Sequence, residues 1–147
     1  MSTFEILIEE YEQNHRIRLS GFVNEFSSID YKEFKRKANV PCFVDFKNVV
    51  AVNSQGLAKL IRLLNSLVMS EREVFIDFCP EELIATVIHL PRLKKIKIRS
   101  FISTLECLRC YSSDQVAVKI VDGNEKVPER FCSACGEKLH NITSILN

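Results

Sequence analysis

Cys42-Phe43-Val44-Asp45-Phe46, then Asn48-Val49-Val50-Ala51-Val52-Asn53 and Ser54-Gln55-Gly56-Leu57, is the stretch whose reading decides the fold. Its first five residues form a short apolar run, the pattern of a strand buried on both faces in a mixed or parallel sheet. Positions 48–53 read as a loop. Beyond it Leu57, Leu60, Ile61, Leu64, Leu67 and Val68 recur at helical spacing and predict an amphipathic helix. Ser54 falls at the entrance of that helix, where a side-chain oxygen would cap the first turn.

The same alternation continues on both sides. Downstream, Glu73-Val74-Phe75-Ile76-Asp77-Phe78-Cys79 reads as a second buried strand ended by Pro80. Leu83, Ile84, Val87 and Ile88 mark another helix that closes at Leu90-Pro91, and Lys95-Ile96-Lys97-Ile98-Arg99 is a two-faced strand. Ser103-Thr104-Leu105-Glu106 has the signal of a last short helix running into Cys107. Upstream, Glu5–Glu9 and His15–Leu19 read as two strands with no helix between them. Ser27, Ser28 and Asp30 then signal a helix with Tyr31, Phe34 and Ala38 on one face, stopped at Asn39-Val40-Pro41. Strands alternating with helices predict an α/β fold, and the early strand pair makes its sheet mixed.

Composition narrows the possibilities. The chain has 147 residues, of which 46% are hydrophobic and 27% charged, as in ordinary globular proteins. Twenty Lys and Arg stand against nineteen Asp and Glu, so no global charge draws it to nucleic acid or an anionic membrane. The first ten residues carry acids where a signal peptide needs a basic segment, and no apolar run approaches the roughly 18 residues of a spanning helix. The expectation is a cytoplasmic protein that does not insert into membranes. Thiols stay reduced there, which favours metal binding over disulfides.

Four of the six cysteines sit in two tight pairs, Cys107/Cys110 and Cys132/Cys135. Two residues between thiolates let one turn present both sulfurs to one ion, and four thiolates close a tetrahedral structural site, most simply for Zn2+. Between the pairs, Val116, Val118 and Ile120 alternate and Asp122-Gly123-Asn124 signals a turn, so a hairpin is expected there. The segment resembles a zinc ribbon, and it divides the chain into residues 1–106 and 107–147. His140, five residues beyond Cys135, could replace one thiolate, but with four cysteines at hand it reads as a surface residue. Cys42 and Cys79 lie in apolar strands and read as buried small hydrophobes.

Residues about 4–106 resemble the STAS domain, the family of anti-sigma factor antagonists and of sulfate-transporter tails. The resemblance rests on Phe43–Phe46 followed by Val49 to Leu57, on Val74 to Pro80, and on Ile98 to Glu106, which is similar to the family's last strand, polar turn and closing helix. Asn53-Ser54-Gln55-Gly56-Leu57 is similar to the family's Asp-Ser-Ser-Gly-Leu helix entrance. In the antagonist branch the first serine of that motif is phosphorylated by a partner kinase, and it aligns with Ser54. The resemblance implies a non-enzymatic module that binds a regulatory protein through Asn53, Ser54, Gln55 and Gly56, switched by phosphorylation of Ser54. Asn53 and Gln55 depart from the motif and favour an alternative, a scaffold or transporter-associated subunit without phosphorylation.

A second alternative is a nucleic-acid adaptor acting through the ribbon. Arg92, Lys94, Lys95, Lys97 and Arg99 are its main support, but their alternation with Ile96 and Ile98 reads as one solvated strand face. The charges of residues 107–147 cancel, so the tail lacks a basic footprint. His15, His89 and His140 have no motif spacing, and no phosphate-cradling glycine loop is visible.

Overall fold

A computed structural model gives the fold of residues 3–35, 40–69 and 71–141. In chain order the elements are β1 (Glu5–Glu10), β2 (His15–Val23), β3 (Cys42–Val52), α1 (Ser54–Val68), β4 (Val74–Asp77), α2 (Glu81–His89), β5 (Ile96–Ile98), β6 (Ser100–Glu106), β7 (Ser113–Val121), β8 (Asn124–Lys126) and β9 (His140–Asn141). They form a mixed five-stranded sheet of order β1-β2-β3-β4-β5 and a second sheet of order β8-β7-β6-β9.

In the first sheet β1 and β2 are an antiparallel pair, and β2 through β5 run parallel. Every parallel step moves to the next neighbour in the same direction. Right-handed crossovers then place all connecting elements on one face. That face is the core: Ile17, Leu19, Val44, Phe46, Val74 and Ile76 from the strands meet Leu60, Leu63, Leu64 and Leu67 of α1 and Leu83, Ile84 and Val87 of α2. The alternate residues form the opposite, uncovered face. There Phe43 and Phe75 stack with ring centres 5.0 Å apart. Arg99 lies 4.6 Å above the Phe43 ring, and Lys97 lies 5.5 Å above Phe75. Cations over aromatic faces keep those rings half-buried without a covering layer.

The second sheet grows directly from the first. The Cys79 N–H donates to Ser100 O (3.0 Å), and the Ile102 N–H donates to Cys79 O (2.8 Å). Phe101, Leu105, Val116, Val118 and Leu139 belong to the same buried cluster as the strands and helices of the first sheet. The strand that leads into Cys107 is thus already part of the second sheet, through its antiparallel pairing with β7 and β9.

The mixed α/β class, β1, β2, β4, β5, α1, α2 and the β7–β8 hairpin agree with the sequence expectations, and three local expectations do not. Positions 48–52 are strand rather than loop: β3 continues to Val52 beside β2, through two shifts of register that absorb its irregular polarity. Ser103–Glu106 is strand, not helix, because Phe101, Ser103 and Leu105 turn alternately into the core and the backbone is taken up by the ladder to β7. The closing helix that the STAS resemblance implies is therefore replaced by β6. The helix expected over 31–38 is a single 3-10 turn at Glu33–Lys35, with Arg36, Lys37, Ala38 and Asn39 outside the described residues. Asp30 uses its carboxylate on the Lys32 N–H (3.2 Å), which makes a turn where the sequence suggests a helix start. Among the described residues no helix is long and apolar enough to cross a membrane.

Candidate metal centre and helix entrance

The two cysteine pairs fold into two turns of the same design. In the first, the Tyr111 N–H donates to Cys107 O (2.9 Å) and the Cys107 N–H to Ser112 O (2.8 Å). In the second, the Gly136 N–H donates to Cys132 O (2.8 Å) and the Cys132 N–H to Glu137 O (2.7 Å). Both need a left-handed residue just after the second cysteine: Gly136 at φ 79° and Tyr111 at φ 61°. Glycine takes that conformation without cost, whereas tyrosine does not.

The turns face each other, so the Sγ atoms of Cys107, Cys110, Cys132 and Cys135 all lie within 4.8 Å of one another. Across the turns, Cys110 Sγ lies 3.3 Å from Cys132 Sγ and Cys107 Sγ lies 3.5 Å from Cys135 Sγ. The four sulfurs could hold a metal ion. Such a set leaves no coordination position for a reacting water. Sequence reasoning missed Ser112, whose Oγ lies 3.1 Å from Cys110 Sγ and 3.0 Å from Cys132 Sγ. Its single O–H can serve only one sulfur at a time. That hydroxyl, helped by the Cys135 and Ala134 N–H groups, lowers the Cys132 thiol to about 6, toward the thiolate a metal requires. Cys110 is lowered as well, by the Ser112 hydroxyl and then its N–H.

The other cysteines are of a different kind. Cys42 and Cys79 are fully buried, and burial pushes the Cys42 thiol up to about 11 and Cys79 higher still. They are packing residues. His140 is exposed in β9, apart from the sulfur cluster.

At the entrance of α1 the cap is Asn53 rather than Ser54. Asn53 Oδ1 accepts the Gly56 N–H (2.8 Å), and its Nδ2 donates to Glu25 Oε2 (2.7 Å). Ser54 is the first helical residue and lies exposed, as do Asn53 and Gln55. Gly56 is buried: a Cβ there would stand 1.9 Å from Val23 O. The fold thus presents Asn53, Ser54 and Gln55 at the surface and spends Gly56 on close packing. Lys59, unremarkable in the sequence, donates to the carbonyls of Asn24 (2.9 Å) and Glu25 (2.7 Å) and to Ser27 O, fastening the loop after β2 to the helix.

Two of the five clustered cations are paired with acids. Lys97 pairs with Glu73 (3.3 Å), and Arg99 makes a two-pronged bond with Asp77, its Nε 2.7 Å from Oδ1. Set against known proteins, the chain matches no family model and no curated protein, so this geometry is what describes it.

Proposed function

We propose that the chain is a non-enzymatic regulatory module of STAS type, similar to an anti-sigma factor antagonist, with a structural Zn2+ in its four-cysteine ribbon. The observation that carries the docking part is the exposed Asn53-Ser54-Gln55 corner, held rigid by the Asn53 cap and the Lys59 clamp. A rigid, solvent-facing helix entrance suits a protein partner, and a phosphate on Ser54 would add about −1.5 to −2 charges where the helix dipole tolerates them. Ser54→Asp is expected to weaken capture of the partner from the source cell at least tenfold relative to Ser54→Ala. Equal capture by both variants removes the switch.

A second reading, a scaffold that docks without phosphorylation, draws support from Glu25. Its carboxylate is bonded to Asn53, the residue beside Ser54, and would repel a phosphate placed there. Intact-mass measurement of native protein, with and without phosphatase, separates the readings. A nucleic-acid adaptor gains little from this strand face, where Lys97 and Arg99 are already paired with Glu73 and Asp77.

Zinc is supported by distance and donor type. Four thiolates about 2.3 Å from a tetrahedral ion stand about 3.8 Å from each other, close to the sulfur separations here. Purified, reduced protein is expected to carry about one zinc per chain, lost in Cys110→Ser. A stoichiometry near zero overturns the ribbon.

A further inference from the structure

The two edges of the first sheet are treated differently. At one edge the chain beyond β5 is engaged by the second sheet, where the Ile120 N–H donates to Arg99 O (2.9 Å). At the other, β1 has no strand beyond it among the described residues. An open edge is a row of unused backbone donors and acceptors, ready to pair with another chain. Glu5, Glu10 and Glu12 are exposed along this one, and Leu7 between them is 55% exposed. Glu9 is already engaged with Arg18 at 3.3 Å. At the Thr3 end the edge opens into a groove of about 570 Å³ walled by Phe4, Phe22 and Phe26. Phe26 is 86% exposed, unusual for a phenylalanine.

Charge decides what fits. A second copy pairing antiparallel about Leu7 would set Glu5 of one chain opposite Glu9 of the other at both ends, and like charges directly opposite are destabilising. Nucleic acid is repelled by the same glutamates. We propose that β1 accepts an extended, lysine- or arginine-rich segment of a partner protein as a sixth strand, with an apolar side chain of that segment seated in the Phe4–Phe22–Phe26 groove. Main-chain bonds would supply affinity, and the acids and the groove would supply the choice of partner. This surface goes beyond the helix entrance and does not depend on Ser54.

The test is titration of the isotope-labelled full chain with a synthetic peptide of about ten residues, a length that matches a long strand. In the peptide lysine alternates with valine and a leucine stands at one end. Amide shifts and slowed exchange are expected along Glu5–Glu10, with further shifts at Phe4 and Phe26. The same peptide with glutamate in place of lysine is expected to bind at least about tenfold more weakly, and E5K/E10K to invert that preference. Ser54→Asp is expected to leave peptide binding unchanged, which keeps this result separate from the helix-entrance test. Silence of β1 at millimolar lysine peptide, equal binding of the two peptides, or shifts confined to the open sheet face or the second sheet each overturn the proposal. Should E5K/E10K fail to fold, the two peptides on the native chain still decide it.

Discussion

At Gly56 a methyl group would stand 1.9 Å from Val23 O and 2.4 Å from its carbonyl carbon, both of them backbone atoms. Neither can swing aside as a flexible side chain would. Gly56→Ala is therefore expected at the upper end of the overpacking range, about 3 kcal/mol by denaturant titration, or to prevent folding. One turn earlier, Asn53→Ala removes the cap and is expected to cost about 1 kcal/mol, while Ser54→Ala at an exposed first-turn position is expected to stay within about 0.5 kcal/mol. A reversed order would return the cap to Ser54. This detail was only half legible in the sequence. Asn and Ser are comparable caps, so adjacent residues of the two types leave the boundary open by one position. Only the bond from Gly56 N–H to Asn53 Oδ1 decides it. The Glu25 contact accounts for an amide there, since an aspartate would face a carboxylate.

The two cysteine turns differ at the element scale in one respect: the left-handed position is glycine in one and tyrosine in the other. A non-glycine residue there costs roughly 1–2 kcal/mol. Tyr111→Gly, which loses an 82% exposed ring, is expected to stabilise the second sheet by up to about 1 kcal/mol. Thermal melts of metal-loaded protein and resistance to a chelator check it. A destabilised variant would show that the Tyr111 ring makes contacts of its own. The cysteine spacing was legible because its chemistry is local, as was the β7–β8 hairpin. The nature of β6 was not. Ser103-Thr104-Leu105-Glu106 carries a helix-start signal, but the alternation of Phe101, Ser103 and Leu105 prevails once β7 supplies a partner, and that partner lies beyond Cys110 in the chain. β3 shows the same limit: nothing local announces that β2 accommodates its last five residues by shifting register.

Across the whole molecule, the first sheet and the cysteine ribbon share one buried core. Phe101 sits fully buried in it, bridged to Cys79 just beyond β4. Phe101→Ala is expected to cost about 3–5 kcal/mol. Removing metal with a chelator is expected to lower the stability of α1 and β2–β4 together with that of the ribbon, seen as one shared transition by helix circular dichroism and by a ribbon-localised probe. Separate transitions would mean that the shared core is energetically idle. The order of the chain gives this arrangement a consequence in time. During synthesis the first sheet and both helices emerge before Cys132, Cys135 and Leu139 do, so the core around Leu105 and Cys107 must wait for the last knuckle. A nascent chain starved of metal would carry an otherwise finished sheet with one apolar flank still open, the kind of intermediate that aggregates or recruits a chaperone. With a metal at the four cysteines, its supply would act on yield during translation before it acted on the stability of the finished protein.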